Sequence, residues 1–234
     1  VKVLALETAT AVCAAALVAD GEVIAEETVT RRFVHAEKLM MMIGEALQRS
    51  GCERRDLNAI AVSIGPGSFT GLRIGLATGK GLTYALGIPL IAVPTLEALS
   101  VHLLRSGGTA EGGFILPVLD ARRDEVYTQL FHAGPDGVSA VWEARDVRVS
   151  DIAGMTRDHR PILVGGDGAQ KFHQTLSTSS EREVDRFRFI EDHLSQCSAG
   201  TVGLIGERML KNGDTADPAT AEPKYVKEFY TTAG

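Results

Sequence analysis

Three cysteines in 234 residues, Cys13, Cys52 and Cys197, are too few and too scattered for a disulfide framework, and none sits in a CxxC or finger pattern that would hold zinc. That scarcity points to a reducing, cytosolic compartment. Nowhere do 18 consecutive apolar residues occur, so no membrane association is expected. The opening VKVLALETAT carries one lysine before a short apolar run that soon ends in charge, which is not how a signal peptide begins. Positive charge is the scarcer sign. With 24 basic against 30 acidic residues the formal net charge is -6, which argues against a surface built throughout to grip phosphate backbones and leaves room only for a local basic patch. The six histidines form no HxxxH or HExxH pair, so no metal set assembles. What is present is apolar mass. At 44% hydrophobic the chain can fill one large domain or two small ones, which excludes fibrous, disordered and mini-protein classes.

The order of elements narrows this to an α/β fold. Runs at 3–6, 12–19 and 22–29, with Asp20-Gly21 between the last two, predict a meander of three strands. From Val34 the period changes, with Ala36, Leu39, Met40, Ile43, Ala46 and Leu47 on one helical face before Ser50-Gly51 stops the helix. A strand at 57–64, a helix at 70–86 closed by Gly87, a strand at 90–93 and a helix at 96–104 follow. Residues 105–113 break all periodicity and read as a linker. Beyond it, strands at 114–119, 125–131 and 138–142 repeat the opening meander about 110 residues on, which implies a duplication at the level of the fold. A strand at 162–164, a short helix at 169–176 and a terminal helix at 195–210 complete the pattern, with 181–193 as a solvated, charge-dense excursion. Two domains are expected, at 1–105 and 106–234, with the terminal segment packing back on the first.

Two segments invite a chemical reading, each beside a plainer one. GPGSFTGLRIG at 65–75 lies between a strand and a helix, where backbone N–H groups of Gly67, Ser68 and Thr70 would cradle an anion, or the glycines serve a tight turn. Its GxGxxxG spacing is not a dinucleotide fingerprint, and GLATGKG at 75–81 is one residue short of a Walker loop and lacks Ser or Thr after the lysine. The turn Glu7-Thr8-Ala9-Thr10 presents a carboxylate and hydroxyls to a nucleotide, or is a plain hydrogen-bonded turn. The helix at 70–86 has almost no polar face, with Gly71, Gly75 and Gly79 in one stripe and Arg73, Lys80 and Tyr84 in another. Met41 and Met42 project off the core face of the preceding helix. Two adjacent helices thus each have one apolar face too many, which suggests a subunit interface.

LALETAT at 4–10, HAEKL at 35–39, GPGSFTGLRIG at 65–75, VPTLE at 93–97, DARRDEVY at 120–127 and PKYVK at 223–227 together resemble the TsaB (YeaZ) family over nearly the whole chain. The resemblance implies two RNase H-like domains of the actin-like, Hsp70-like ATPase type, each a mixed sheet in β-β-β-α-β-α order. It implies a noncatalytic platform required for making N6-threonylcarbamoyladenosine in tRNA, beside the anticodon. The implied partners are a TsaD-like catalytic subunit and a TsaE-like ATPase, with TsaC supplying threonylcarbamoyl-adenylate. A homodimer is expected when the chain is alone, with tRNA met only through the complex, no cofactor tightly bound, and ATP with magnesium entering only in the assembly. In the catalytic relative a His-x-x-x-His metal pair occupies the place that matches Thr95 and Leu99 here, neither of which offers imidazole. The interface expected from the apolar faces and the resemblance comprises His35, Leu39, Met41, Met42, Phe69, Leu72, Arg73, Gly75, Leu76, Gly79, Lys80 and Tyr84. The competing expectation is a kinase or hydrolase of the same fold. It would hold ATP and magnesium with Glu7, Thr8, Thr10 and the 65–71 loop, and adenosine with the glycines at 165–168. A peptidase lacks any nucleophile and base that can be paired.

Overall fold

Val3 and Ala5 are buried toward one layer and Leu4 and Leu6 toward another, so the strand that carries them, β1 (Lys2–Glu7), is covered on both faces and lies in the middle of its sheet. A computed structural model of the chain describes residues 1–107, 112–135, 137–177 and 184–226. Its first sheet has the order β3-β2-β1-β4-β5, built from β2 (Val12–Ala19), β3 (Glu22–Thr30), β4 (Ala59–Ser63) and β5 (Leu90–Val93). The meander β1-β2-β3 is antiparallel, while β4 and β5 join β1 in parallel.

On one face of this sheet lie α1 (His35–Ser50) and α2 (Phe69–Leu86), each ended by a glycine in the left-handed region, Gly51 and Gly87. The other face is made of small residues, Ala5, Ala14, Ala16 and Ala61 among them. That flatness admits α6 (Ala199–Lys211) at close range, with Gly203 against Val18 and Ala5 and Gly206 against Ala61. The Glu26 carboxylate of β3 accepts from Gly200 N at 3.2 Å, placing negative charge at the N-terminus of α6 where the helix dipole favours it.

The second sheet repeats the first. β6 (Phe114–Asp120), β7 (Glu125–Thr128), β10 (Arg145–Arg148), β11 (Ile162–Gly165) and β12 (Phe187–Phe189) take the order β10-β7-β6-β11-β12, again with an antiparallel meander on one side and two parallel strands on the other. An additional hairpin, β8 (Phe131–Gly134) and β9 (Gly137–Ala140), extends from β6. α4 (Ile152–Met155) and α5 (Ala169–Leu176) cover this sheet. Between the two sheets runs α3 (Thr95–Gly107), whose Leu96, Leu99 and Leu103 pack on Ile115 and Leu163 while Ala98 joins Val3 and Ile91. The boundary expected at 105/106 therefore falls inside a helix that both sheets share.

Several expectations are corrected. The strand at 125–131 is interrupted because Pro117 of β6 has no N–H to offer its opposite number; the register on either side of the break is continuous, Val118 opposite Thr128 and Ile115 opposite Phe131. The segment at 138–142 is not the third meander strand. β9 belongs to the hairpin, and β10, a short run of mixed polarity, takes the meander position. The terminal helix starts at Ala199, not 195, since the Ser198 hydroxyl caps it by accepting from Thr201 N at 3.2 Å. Within 181–193, expected to be solvated, β12 pairs with β11 and Phe187 is buried against Phe172; residues 181–183 lie outside the described residues. Of the expected linker, 105–107 complete α3 and 108–111 lie outside the described residues. Among the described residues no helix is long and apolar enough to cross a membrane.

Because a Cβ at position 203 would overlap the Val18 side chain, Gly203→Val is expected to destabilise the chain by about 1–3 kcal/mol, the usual cost of overpacking. Urea denaturation checks this, and a midpoint unmoved by the substitution would contradict the described seat of α6.

Candidate functional site

The GPGSFTG loop joins β4 to α2, and the Glu7-Thr8-Ala9-Thr10 turn joins β1 to β2. They close on each other. Ser68 N donates to Ala9 O at 2.6 Å, and the Ser68 hydroxyl caps α2 by accepting from Gly71 N at 3.3 Å. A Cβ on Gly67 would overlap the Ala9 carbonyl, one on Gly71 the Thr8 carbonyl, and one on Gly75 the Thr8 hydroxyl. Gly79 meets Val62 of β4 in the same way. Glycine is needed along this edge of α2 because the backbone of the turn lies directly on it. Gly65, at φ +118, opens the loop; its N–H donates to Thr95 Oγ1 at 2.9 Å, tying the loop to the start of α3.

Glu7 and Thr8 are fully buried. Glu7 Oε1 accepts from Ala9 N at 2.6 Å, and Thr8 N donates to the Ser63 hydroxyl at 3.4 Å. Glu7 Oε2 and Thr8 Oγ1 have no hydrogen-bond partner. Burial in this setting disfavours the charged carboxylate and pushes the Glu7 pKa up to about 7, against the pull of the Ala9 and Ser63 hydrogen bonds. Nearby, burial drives the Cys197 thiol well above its ordinary range and Cys13 to about 11, so neither is poised as a nucleophile.

The second half reproduces the arrangement. The loop after β11 carries Gly166 and Gly168, where a Cβ would press on the Val118 carbonyl and on Leu119. Asp167 Oδ1 accepts from Asp120 N at 2.8 Å at the start of the β6–β7 turn, and Lys171 pairs with Asp120. Both glycine loops therefore grip the hairpin of their own sheet, and the glycines at 165–168 form no open adenosine cradle.

Of the residues expected to meet a nucleotide, Glu7 and Thr8 are inside the protein, Gly67 and Thr10 are half-buried, and only Ser68 and Thr70 are exposed. The expected interface set also divides. His35, Leu39, Met42, Leu72, Gly75, Leu76 and Gly79 are buried in their own domain, with His35 Nε2 donating to Val12 O at 3.0 Å. Met42 is corrected from an outward to an inward residue, and Met40 from inward to outward at 58% exposure, because the buried stripe of α1 is Leu39, Met42, Ile43, Ala46 and Leu47. Met41, Phe69, Arg73 and Tyr84 face out, Tyr84 at 92% exposure, with Lys80 half-buried. The arginine sits over the Phe69 ring at 3.8 Å and donates from Nε to Tyr225 Oη at 3.1 Å, while Phe69 and Tyr225 stack at 5.2 Å. A contact across 152 positions leaves no local signal, which is why the role of Tyr225 could not be read from spacing.

A family model described as TsaD, tRNA N6-adenosine threonylcarbamoyltransferase, matches residues 23–228. The chain is 36% identical over 137 residues to the tRNA threonylcarbamoyladenosine biosynthesis protein TsaB of Escherichia coli, covering 58% of each. It is 33% identical over 211 residues to the Bacillus subtilis protein of the same name, covering 90% of this chain and 82% of that one. Among solved structures, a Pseudomonas aeruginosa protein described as similar to peptidase YeaZ superposes with a TM-score of 0.80 at 22% identity, over 97% of this chain and 99% of the other.

The raised Glu7 pKa has a definite sign. The folded carboxyl holds its proton more tightly than the unfolded one, so stability is greatest below the ordinary glutamate range and falls as pH rises from about 4.5 to about 7. Glu7→Gln, which keeps the acceptor for Ala9 N, is expected to gain up to about 3 kcal/mol over the parent above pH 7 and almost nothing near pH 4.5. Denaturation curves at the two pH values decide it; an equal difference at both would mean that Glu7 is charged and paired in the fold.

Proposed function

The chain belongs to the TsaB (YeaZ) family, and from that premise we propose that it is a noncatalytic platform subunit for threonylcarbamoyl transfer to N6 of adenosine in tRNA. It works with a TsaD-like catalytic subunit and a TsaE-like ATPase. One observation carries the reading: α1 and α2 pack side by side on the first sheet and leave Met40, Met41 and Tyr84 in solvent, side chains that an outer face does not normally keep apolar. This face docks the catalytic subunit through its matching helices. In isolation the same face pairs with a second copy, so homodimer and heterodimer compete.

Noncatalysis is supported by what the residues at the metal positions of the catalytic relative do here. Thr95 spends its hydroxyl on Gly65 N, and Leu99 is buried in the layer between the sheets. Neither can reach an ion. The kinase or hydrolase alternative needs Glu7 and Thr8 at the surface to meet ATP and magnesium, and both are buried under the loop that would hold the phosphates. In this reading ATP with magnesium and tRNA are engaged in the assembled complex.

Met41→Asp and Tyr84→Asp alter exposed side chains and should leave the fold intact while weakening both assemblies at least about tenfold. Gel filtration reads the homodimer and co-purification with the catalytic subunit reads the heterodimer; unchanged assembly would move the interface elsewhere. In a reconstituted mixture of catalytic subunit, ATPase, tRNA, ATP and threonylcarbamoyl-adenylate, omission of this chain should stop modification. Full activity without it would overturn the assignment.

A further inference from the structure

A third element borders the face formed by α1 and α2. α1 packs on β2 and β3 and α2 on β4, while the segment after α6, residues 214–226, meets β5 on the other side of α2. It is pinned at two points, with Ala216 N donating to Leu90 O at 2.8 Å and Lys224 N to Ile64 O at 2.7 Å. This delivers Tyr225 to the first turns of α2. There its ring stacks on Phe69 at 5.2 Å, its hydroxyl accepts from Arg73 Nε at 3.1 Å, and Arg73 Cζ lies 3.8 Å from the centre of the Phe69 ring. An exposed arginine is thus fixed at Nε and against one ring, yet among the described residues it has no ion-pair partner. α2 holds no acidic residue at all. In the bordering segment Asp217 is spent on its own turn, accepting from Ala219 N at 2.9 Å and from the Thr220 hydroxyl at 3.0 Å.

We propose that Arg73, held in place by Phe69 and Tyr225, is a preformed receptor for one carboxylate of the catalytic subunit, an Asp or Glu set among apolar side chains on the helix that docks here. The inference rests on the docking reading above and adds the chemistry that the partner must bring. Surface ion pairs usually gain little because two long side chains must be ordered to make them. Here one of the two is ordered beforehand. A guanidinium engaged through Nε still offers its two terminal amino groups as a fork for a carboxylate. Arg73 lies on the same stripe of α2 as Tyr84, about three turns away, so a partner that covers Met41 and Tyr84 covers it too. Taking a guanidinium out of water without a counter-charge opposes association strongly, and a carboxylate at this point removes that penalty. A second copy of the chain has less to offer: its α2 lacks an acid, Glu37 of α1 is paired with Lys38 at 2.9 Å, and only Glu45 of α1 is left without an ion pair. Tyr225 is the positioning residue of this receptor.

The test is the affinity of the full chain for the catalytic subunit, measured by titration calorimetry at low and high salt, with urea denaturation of each variant to show that it folds. Arg73→Gln should weaken the heterodimer about tenfold or more, as expected for an arginine anchor. Arg73→Glu should weaken it about tenfold further, because a like charge then faces the partner's carboxylate. Tyr225→Phe, which keeps the stack and frees Nε, should cost about two- to threefold through lost ordering. The parent affinity should fall with salt more steeply than that of Arg73→Gln. Arg54→Gln, an equal loss of charge on the turn beyond α1, should bind as the parent does. Unchanged affinity in Arg73→Gln would overturn the proposal. So would equal losses in Arg73→Gln and Arg73→Glu with the salt dependence of the parent, which would mean that no carboxylate faces the site. A loss confined to the homodimer would give Arg73 to the second copy and overturn it likewise. If Met41→Asp disrupts the heterodimer while Arg73→Gln does not, the docking reading stands and the receptor falls; if neither does, the docking reading falls with it.

Discussion

The contact between the β1–β2 turn and the glycine edge of α2 is the constraint from which the first domain follows. The carbonyls of Ala9 and Thr8 and the Thr8 hydroxyl rest where Gly67, Gly71 and Gly75 carry no side chain, and Gly79 continues the seam onto Val62. With α2 held this low, its opposite edge is lifted away from the sheet, and Phe69, Arg73 and Tyr84 stand outside the core. The glycines that a partner helix would otherwise use for close approach are spent inside the chain. In the proposed assembly docking would fall to the larger exposed side chains on the outer edges of α1 and α2, a more adaptable surface than a glycine seam.

The same constraint puts the carboxylate and the hydroxyl expected to meet a nucleotide, those of Glu7 and Thr8, inside the protein. Closing the loop on the turn buries Glu7 with one oxygen unpartnered and Thr8 with its hydroxyl unpartnered, an arrangement that costs stability whenever the carboxyl is ionised. The second half shows a related grip, since Gly166 and Gly168 press on the end of β6 where Gly67 and Gly71 press on the β1–β2 turn. The repeat is visible in glycine contacts and strand order, not in residue identity.

Much of this is legible in the sequence alone. The alternating runs of β1 and β2, the Asp20-Gly21 turn and the Gly51 and Gly87 stops set the first five strands and three helices within a few residues, because each is governed by local periodicity and turn chemistry. β10 and β12 escaped, since four and three residues of mixed polarity give no period and owe their state to the strands beside them. Met40 and Met42 were exchanged because a run of three methionines fixes composition and not phase; the phase is decided by Leu39, Ile43, Ala46 and Leu47. At the site, the glycine stripe is evident as a place of close approach, but what approaches it, a turn 58 to 67 residues upstream in the chain, lies beyond any spacing rule. The Tyr225 lock on Arg73 is long-range in the same sense.

The central claim, that the α2 glycine seam is filled by the chain's own turn, is tested most directly by a double-mutant cycle between Gly75→Ala and Thr8→Ala. Denaturation free energies are measured for the parent, both single variants and the double variant. If Thr8 fills the seam, Gly75→Ala alone is strongly destabilising, and removing the Thr8 hydroxyl relieves a substantial part of that cost, giving a coupling of about 1 kcal/mol or more. Additive effects, with Gly75→Ala stable as a free chain and defective only in binding its partner, would show that the seam belongs to an interface and would contradict the account.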